Sequence, residues 1–341
     1  MKARRIVHLV DDMTAGGVMR VLDHIVTAPE MAATGQHSLC HVARGSLGPG
    51  RIPADIIVSH LSVSWRNLPL MASLRALHPF TPLVHVEHSY TDAFCSLNVV
   101  AKHRFAALLL LAYGLFDRVV AVSEGQGAWL RRFLRRDALH VIPSCVDLAS
   151  FRALPRKDHP VQVIGAIGRL DRQKGFDTLI TAMRRRPDLN LQLHIYGTGA
   201  DENALRLLAE NDPRIRFMGF ANDPVAAMKA VDAVAMPSRW EAYGLVAIEA
   251  LSAGRILLVN DLDGLQDHLS HGAHPVAEPS VEAWETALGQ LAQGRYTMPA
   301  AAGTPAFEQS FAHDWQDLID SVGKRLVRGN RLEAQGSISS S

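Results

Sequence analysis

A helical segment in the C-terminal half carries a carboxylate among apolar side chains. The segment PSRWEAYGLVAIEALSAG spans Pro237 to Gly254, and Gly244 opens a helix that Gly254 closes. Glu249 lies inside this helix, and its neighbours three and four residues away offer no polar face: Leu245, Val246, Ser252 and Ala253. Burial of such a group without a partner costs about 2–7 kcal/mol. Two ribose hydroxyls match its two oxygens, and a backbone N–H or an arginine is the structural alternative.

A second carboxylate and several free backbone amides precede this helix. Glu241 lies eight residues before Glu249, in the turn that leads into the helix, where it can reach a ligand at the helix N-terminus. The first backbone N–H groups of a helix have no partner within it and bind anions readily. We therefore expect an anion site at three consecutive residues: Tyr243, Gly244 and Leu245.

Two cations follow a predicted strand in the segment IGRLDRQKGFDTLI, which spans Ile167 to Ile180. Arg169 and Lys174 leave the carboxyl end of that strand together. Gly168 and Gly175 stand beside them and permit close approach of the backbone to a ligand. Fixed positive charges of this kind suit a departing diphosphate. The alternative is an ordinary basic loop that is screened by water.

Two weaker signals lie in the N-terminal half. Gly16 and Gly17 occupy the first predicted strand–helix turn, where paired glycines let the chain approach a ligand and lead into a helix N-terminus. His88 follows an apolar strand in the segment VHVEHSY, from which it could point into a cleft. Paired glycines also end many ordinary turns, and a single histidine is more often structural, so both alternatives stay open.

Several familiar patterns are absent. Gly197 and Gly199 begin a dinucleotide fingerprint, but Glu202 occupies its third glycine position. No tyrosine has the Tyr-x-x-x-Lys spacing that a nucleotide-sugar epimerase or dehydrogenase needs. The carboxylate pair Asp261-Leu262-Asp263 has no third ligand and is predicted to be a polar turn, so no metal site is expected. Three widely spaced cysteines build neither a zinc site nor a disulfide framework and favour a reducing cytoplasm: Cys40, Cys95 and Cys145.

Short β-branched runs alternate with longer helical patterns, as in parallel sheets built from βαβ units. The first half carries six predicted strands: Arg5–Val10, Ser38–Ala43, Asp55–His60, Leu83–Glu87, Arg118–Val122 and His140–Ile142. The charged segment Leu154–Pro160, with two prolines, is the predicted linker. The second half carries five strands: Gln162–Ile167, Leu191–Tyr196, Ile215–Met218, Ala233–Met236 and Ile256–Val259. Because doubly wound sheets bind ligands at the carboxyl ends of strands, a cleft between the two domains is the expected site.

The charge of the chain is unevenly divided. Residues 1–155 contain 16 lysines and arginines against 11 aspartates and glutamates, whereas residues 156–341 contain 19 against 23. The basic half is therefore expected to meet something anionic. Its segment Trp129–Arg136 combines an apolar stripe with four arginines, which suits an anionic membrane surface or a helix end whose cations offset the dipole. The longest apolar run, Phe105 to Phe116, is about half the length that a membrane span requires.

Taken together, these segments resemble the retaining glycosyltransferases of family 4, which have the GT-B fold. The resemblance runs from Gly16-Gly17 to the last predicted helix. It includes AVSEGQGAWL and VIPSCVDLASF, and it is most specific in GRLDRQKGFDTLI, in IYGTGADENAL and in the pair Glu241-x7-Glu249. The order and spacing of all these pieces together are hard to obtain by chance.

The resemblance implies an α/β protein of the GT-B fold, with two Rossmann-like, doubly wound parallel-sheet domains facing a cleft. Residues 1–155 would form the acceptor-side domain, and residues 161–310 would form the domain that binds the nucleotide-sugar donor. A last helix at residues 311–328 would pack back toward the N-terminal domain. Residues 329–341 would form a disordered tail.

The resemblance also implies roles for the residues singled out above. Arg169 and Lys174 would hold the donor diphosphate, while Glu249 would bind the ribose. Glu241 would contact the transferred sugar, and His88 would lie beside it. Gly16-Gly17 would close over the phosphates. The loop before the helix would donate hydrogen bonds to the phosphates from the backbone amides of Tyr243, Gly244 and Leu245. The implied catalytic residues are Glu241, His88, Arg169 and Lys174.

The function implied is transfer of a hexose-type sugar, with retention, from an NDP-sugar to a glycan or lipid-linked acceptor. UDP and GDP are favoured over ADP, and the expected setting is synthesis of cell-envelope polysaccharide or lipopolysaccharide. Glycosyltransferases of this kind need no divalent metal, so neither a metal, a cofactor nor a nucleic-acid partner is expected. We expect a cytoplasmic location, with peripheral contact to the inner face of the membrane as a further option. The alternative is a catalytically inactive GT-B module that serves as a partner subunit.

Overall fold

The protein is described by a computed structural model that covers residues 3–14, 16–299 and 306–336. The chain divides into two compact units. The first comprises Met1–Tyr90, Asn98–Val146 and Ala306–Ser341, and the second comprises Thr91–Leu97 and Asp147–Pro305. Each unit contains one six-stranded parallel sheet with flanking helices. The predicted α/β class with two doubly wound parallel sheets is thereby confirmed.

The first unit is built on six strands: β1 (Arg5–Val10), β2 (Gln36–His41), β3 (Ile56–Ser59), β4 (Leu83–Glu87), β5 (Arg118–Ala121) and β6 (Leu139–Val141). Their order across the sheet is β2-β1-β3-β4-β5-β6. The helices of this unit are α1 (Gly17–Thr27), α2 (Pro29–Ala32), α3 (Leu68–Leu77), α5 (Lys102–Tyr113), α6 (Glu124–Leu130) and α13 (Phe307–Gly336). The central strands β3 and β4 are buried along their whole length, as expected of a parallel sheet that is covered on both faces.

The last helix, α13, belongs to this first unit. Its Trp315 is 2% exposed and meets the ring of His8 edge-on, with ring centroids 5.8 Å apart. The helix begins before the predicted start at residue 311 and continues to Gly336. Residues 329–336 are therefore helical, in contrast to the disordered tail expected there, because the stretch is rich in good helix formers such as Leu, Arg, Glu and Ala. The remaining tail residues, 337–341, lie outside the described part of the chain.

The second unit has its own six strands: β7 (Val163–Ile167), β8 (Gln192–Tyr196), β9 (Ile215–Gly219), β10 (Ala233–Met236), β11 (Ile256–Asn260) and β12 (His274–Val276). Their order is β12-β11-β10-β7-β8-β9. The helices are α4 (Asp92–Asn98), α7 (Ala149–Arg152), α8 (Phe176–Arg185), α9 (Glu202–Ala209), α10 (Pro224–Lys229), α11 (Leu245–Ser252) and α12 (Val281–Ala292). The last residue of α4, Asn98, is assigned to the first unit. The strands β10 and β11 are buried throughout and form the centre of the core.

The charged segment Leu154–Pro160 is part of the second unit, whose boundary lies at Asp147 and not at the expected residue 155. Two buried charges hold the segment. Arg255 is fully buried and donates hydrogen bonds to the carbonyl oxygens of Pro155 (3.0 Å) and two other residues. Asp232 accepts an ion-pair contact from Lys157 at 3.1 Å. Two prolines among charged residues suggest a free linker. Arg255 and Asp232, which hold the segment, are distant from it in sequence, so the local pattern does not reveal these contacts.

Candidate functional site

Three loops of the second unit leave the same edge of its sheet. They follow β7, β10 and β11, which are neighbours in the sheet and run parallel, so their carboxyl ends meet. The loop after β7 carries Arg169 and Lys174, and the loop after β10 carries Glu241 and leads into α11. The predicted donor-side residues therefore share one edge of one unit.

Lys174 and Glu241 form an ion pair in this edge. The Nζ of Lys174 donates to Oε2 of Glu241 at 2.5 Å, although 67 positions separate the two residues in the sequence. Their side chains are only 14% and 12% exposed. The hydroxyl of Ser238 donates to the same carboxylate oxygen at 3.3 Å. Folding thus brings together a cation and a carboxylate that sequence analysis had singled out in separate segments.

Glycines fix the position of Lys174. The residue ends a short 3-10 turn, Arg172–Lys174, and its carbon chain lies against Gly168, where an added Cβ would stand 3.1 Å from Cε of Lys174. Gly175 follows with φ of 66°, in the left-handed region. An added Cβ there would stand 2.1 Å from the carbonyl oxygen of Pro237. Only glycine therefore allows the loop after β7 to touch the loop after β10.

The loop that carries Glu241 is held by side chains that sequence analysis missed. Asn260, 1% exposed at the end of β11, donates from Nδ2 to the carbonyl oxygen of Ser238 at 3.0 Å. Its Oδ1 accepts from Nε1 of Trp284 at 2.9 Å. Gln173 donates to the carbonyl oxygen of Trp240 at 3.1 Å. An asparagine that ends an otherwise apolar buried strand is the one signal in the sequence that could have revealed this support.

The helix α11 begins at this edge without a side-chain cap. Its N-cap residue is Gly244, with φ of 92°, and a glycine has no side chain that could cap the first turn. Tyr243 is buried, and its carbonyl oxygen accepts a hydrogen bond from Nε2 of His268 at 2.8 Å. Burial lowers the pKa of His268 to about 4, so the ring is neutral at pH 7 and its proton lies on Nε2. The first backbone N–H groups of α11, including that of Leu245, suit an anion.

Glu249 lies within α11 and is 1% exposed. The helix is buried from Ala247 to Ser252, which confirms that no polar face accommodates this carboxylate. Ribose binding by Glu249 stays a prediction.

Arg169 takes a different position from Lys174. Its side chain is 72% exposed, and it binds Oε1 of Gln173 at 3.0 Å and approaches Asp171 at 3.4 Å. Both of these partners belong to the loop after β7 that carries Arg169 itself. An exposed guanidinium remains free to turn toward a ligand, whereas Lys174 is already fixed.

In the first unit, Gly16 and Gly17 stand at the start of α1 and are exposed. Gly16 is extended, with φ of 179°, a conformation that any residue adopts. An added Cβ on Gly16 would meet only the carbonyl oxygen of Thr14, at 3.8 Å. The backbone conformation therefore does not require glycine at position 16. That this glycine leaves room for a ligand stays a prediction.

His88 stands directly after β4, in a loop that a buried carboxylate shapes. Oε1 of Glu87 accepts hydrogen bonds from the backbone N–H groups of Ser89 (2.7 Å) and Tyr90 (3.1 Å), and its Oε2 accepts from the hydroxyl of Tyr113 (2.8 Å). Burial acts to raise the pKa of Glu87, but His85 and these hydrogen bonds outweigh it, and the pKa is lowered. The ionised carboxylate thus fixes the turn that carries the partly exposed His88.

The carboxylate pair after β11 bonds to protein groups. Oδ2 of Asp263 accepts from the hydroxyl of Thr91 at 2.6 Å, and its Oδ1 accepts from the backbone N–H of Ala93 at 3.2 Å. Asp261 accepts from Gln266. Within the described residues, no group of three or more histidines, cysteines, aspartates and glutamates is arranged to hold a metal ion.

The segment Trp129–Arg136 corrects one expectation. Trp129 and Leu130 are 3% and 0% exposed, so these two apolar side chains belong to the core of the first unit and are not available to a membrane, whereas Phe133 and Leu134 are half-buried. A helix of only seven residues, α6, ends at Leu130 and turns these side chains inward. Four cations of the segment face solvent: Arg131, Arg132, Arg135 and Arg136. Over the part of the chain that the structure covers, no helix is both long and apolar enough to cross a bilayer.

The chain is similar to known proteins in sequence and in fold. Residues 161–294 match the family model described as glycosyl transferases group 1, and residues 49–150 match that of glycosyltransferase family 4. A phosphatidyl-myo-inositol mannosyltransferase of Mycobacterium tuberculosis is 29% identical over 305 residues, which cover 82% of this chain and 76% of that protein. A D-inositol 3-phosphate glycosyltransferase of Pseudarthrobacter chlorophenolicus is 36% identical over 155 residues, which cover 40% of this chain and 37% of that protein.

Solved structures show the same fold. Sucrose-phosphate synthase from Thermosynechococcus elongatus has a TM-score of 0.66 at 19% identity and covers 99% of this chain and 100% of its own. Anabaena HepE in complex with UDP and glucose has a TM-score of 0.65 at 14% identity and covers 96% of this chain and 99% of its own. The two parallel sheets therefore have the GT-B fold. With both family models matched in sequence, the chain belongs to glycosyltransferase family 4, group 1.

Proposed function

We propose that this glycosyltransferase moves a hexose-type sugar from an NDP-sugar to a glycan or lipid-linked acceptor, with retention of anomeric configuration. The observation that carries the proposal is the ion pair between Lys174 and Glu241. The pair is mostly buried, and it joins the loop after β7 to the loop after β10. A cation held by a carboxylate at the carboxyl edge of a parallel sheet is poised to exchange that partner for a ligand phosphate.

Cleavage of the donor bond builds negative charge on the leaving diphosphate. In the proposed reaction Lys174 leaves Glu241 and binds a diphosphate oxygen, and the exposed Arg169 turns in as a second cation. The N-terminus of α11, with the amides of Gly244 and Leu245, supplies further positive potential. These groups stabilise the departing charge by preorganised electrostatics, so that no divalent metal or cofactor is required.

The two glutamates take separate roles in this proposal. Once Lys174 binds phosphate, the carboxylate of Glu241 becomes available to hydroxyls of the transferred sugar. Glu249, buried in α11, binds the two ribose hydroxyls, whose O–H donors match its two oxygens. For the first unit, a sugar contact of His88 and a phosphate contact of Gly16-Gly17 stay predictions from the sequence.

The nucleotide and the acceptor are proposed from the relatives. The names of two similar proteins refer to phosphatidyl-myo-inositol and to D-inositol 3-phosphate, which supports an acceptor that is a phosphorylated or lipid-linked polyol or glycan. The structure of HepE holds UDP, which supports UDP as a donor nucleotide beside GDP. We place the reaction in cell-envelope polysaccharide or lipopolysaccharide assembly, in the cytoplasm.

A peripheral contact with the inner face of the membrane is part of the proposal. Four solvent-facing arginines near the end of α6 support attraction to anionic lipids, each contributing about 1 kcal/mol near such a surface. Flotation with liposomes tests this contact. Binding to vesicles with anionic lipid, and its loss when Arg131, Arg132, Arg135 and Arg136 are all replaced by glutamine, is expected. Equal flotation with neutral vesicles would contradict the electrostatic contact.

Incubation of the purified protein with UDP-, GDP- and ADP-hexoses tests the proposed function. Slow release of nucleoside diphosphate without an acceptor, faster release with a lipid or polyol acceptor, and no effect of a chelator are expected. NMR of the anomeric proton of the product decides retention. A folded protein that releases no nucleotide from any donor would instead support an inactive module that acts as a partner subunit.

A further inference from the structure

Four histidines cross the sheet of the first unit in a row. His37 lies in β2, His8 in β1, His60 directly after β3 and His88 directly after β4, and these four strands are neighbours in that order. His37 is aligned with Ile6, two residues before His8, and His8 is aligned with Val58, two residues before His60. Each step thus advances two residues toward the carboxyl edge. Because side chains alternate along a strand, a step of two keeps all four rings on one face.

The four rings form a continuous chain of hydrogen bonds. Nδ1 of His37 meets Nε2 of His8 at 2.9 Å, Nδ1 of His8 meets Nε2 of His60 at 2.9 Å, and Nδ1 of His60 meets Nε2 of His88 at 2.8 Å. At the outer end, Nε2 of His37 lies 2.7 Å from the hydroxyl oxygen of Thr34. The contact pattern is the same at every link, Nδ1 of one ring to Nε2 of the next. The chain ends at the partly exposed His88.

Thr34 gives the chain a direction. Its hydroxyl oxygen lies 2.8 Å from the carbonyl oxygen of Met31, which can only accept. The single hydroxyl proton therefore lies on that contact, since two oxygens at this distance without a proton between them would repel each other. The hydroxyl oxygen then accepts from His37, whose proton must lie on Nε2. Its Nδ1 is left to accept from His8.

The same logic continues along the row, because a neutral imidazole has one donor and one acceptor nitrogen. His8 donates from Nε2 and accepts at Nδ1, and His60 does the same. His88 must then donate from Nε2 to His60, which leaves its Nδ1 unprotonated. Burial lowers the pKa of His8 and His60 well below the usual value and that of His37 and His88 to about 4, so all four rings are neutral at pH 7.

The geometry points to Thr34, His37, His8 and His60 as positioning residues that hold His88 as the Nε2–H tautomer. The Nδ1 of His88 then accepts a hydrogen bond from a hydroxyl of the ligand and repels an unprotonated phosphate oxygen. Nδ1 has no hydrogen-bond donor among the described residues. The identity of that ligand as a sugar rests on the proposed function, whereas the tautomer does not.

Nitrogen NMR of the full-length protein, labelled with ¹⁵N-histidine, tests the tautomer directly. Two-bond ¹H–¹⁵N couplings distinguish the protonated from the bare ring nitrogen, and His88→Gln assigns the signals of His88. We expect His37, His8, His60 and His88 all with the proton on Nε2. A proton on Nδ1 of His88 in the free protein would overturn the proposal.

Thr34→Val removes the hydroxyl that directs the row, and Thr34→Ser is its matched control. In Thr34→Val the two ring-nitrogen shifts of His88 should move toward each other, because both directions of the row become accessible, whereas Thr34→Ser should keep the wild-type shifts. His37→Leu, a change at a partly exposed edge position, should produce the same shift of the His88 signals. It serves as the second variant if Thr34→Val fails to fold. Unmoved His88 signals in folded Thr34→Val and His37→Leu would overturn the coupling along the row.

Steady-state kinetics separate this inference from the proposed function. Loss of a single directing hydrogen bond is expected to lower kcat of Thr34→Val by about 2- to 10-fold, with Thr34→Ser restoring it. Shifted His88 signals with unchanged kcat would overturn the positioning role while leaving the tautomer established. No transfer by the wild-type protein with any donor would overturn the proposed function and leave the NMR result standing.

Discussion

Lys174 and Glu241 are charged side chains in a mostly buried position, where either charge without a partner would cost free energy. Each side chain is more than four-fifths buried, and withdrawal of two charges from water offsets much of their attraction. Such a pair is a weak source of stability. Its value lies in holding the ammonium group at the sheet edge until a phosphate replaces the carboxylate.

Replacement of Lys174 by alanine should abolish most of the transfer. Loss of one preorganised contact to the departing phosphate is expected to lower the rate by about 100- to 1,000-fold. Donor turnover of the folded variant measures this effect, with Lys229→Ala, an exposed lysine at the end of α10, as the matched control. A folded Lys174→Ala protein with wild-type turnover would contradict the assignment.

Arg169→Ala should show a loss of the same order, since its guanidinium supplies the second cation. The exposed Arg295 provides the control, because its removal takes away the same charge from the same unit. The thermal midpoint of Arg169→Ala should stay close to that of the wild type, as its side chain is 72% exposed. Reduced stability with full activity would instead indicate an ordinary structural loop.

For individual residues, the sequence predicts which charged side chains are buried but not which of them contact each other. Glu249 could be predicted to be buried because its helix has no polar face. The contact of Lys174 with Glu241 spans 67 positions and depends on the order of strands β7 and β10, which local patterns do not contain. The row of histidines was missed for the same reason, since it requires the register of four strands.

At the scale of elements, the site depends on the contact between the loops after β7 and β10. Gly175 sits at that contact with positive φ, and a Cβ would collide with the carbonyl oxygen of Pro237. Gly294, at the end of α12, has nearly the same φ of 67° but no atom within 4 Å of an added Cβ. A comparison of alanine substitutions at the two positions therefore distinguishes the cost of the backbone conformation from the cost of the steric collision.

Gly175→Ala is expected to destabilise the fold more than Gly294→Ala does. The left-handed conformation costs alanine about 1–2 kcal/mol at both positions. Relief of the collision at Gly175 costs about 1–3 kcal/mol more and displaces Lys174, so that transfer falls as well. Urea denaturation and donor turnover of the two variants measure both effects. Equal losses of stability in the two variants would show that the loops do not constrain each other.

Most elements were predictable because apolar runs with turn residues between them mark buried parallel strands. Strands β1, β4 and β10 occupy the predicted residues, whereas β2 lies two residues earlier than predicted. The short edge strand β12 was missed, since His274 and Pro275 give it no strand pattern. The extent of α13 was also missed, because a polar helix with few apolar positions resembles a tail.

At the scale of the whole molecule, buried neutral histidines make stability depend on pH. Burial lowers the pKa of His37, His88 and His268 to about 4, against 6.5 when they are exposed. These histidines bind protons in the unfolded chain before they do so in the folded one. Their contribution is fully present above pH 6.5 and is lost as the pH falls toward 4.

The free energy of unfolding should therefore be constant from pH 8 to 7 and should fall steadily between pH 6.5 and 4.5. Denaturation by urea at half-unit steps of pH measures this dependence. Carboxylates with lowered pKa, such as Asp177 and Asp232, lose their contribution only below this window, because their usual pKa is 3.8. Stability that is unchanged or higher at pH 5 would show that these rings accept protons in the folded state.

A crystal structure with a bound nucleoside diphosphate shows whether Lys174 exchanges Glu241 for a phosphate. We expect Nζ of Lys174 to have left Glu241 and to lie about 2.7–2.9 Å from a diphosphate oxygen. We also expect the diphosphate at the N-terminus of α11, with both oxygens of Glu249 bonded to the ribose hydroxyls. A nucleotide bound elsewhere, with the Lys174–Glu241 pair intact and Glu249 untouched, would contradict the proposed exchange of Glu241 for phosphate.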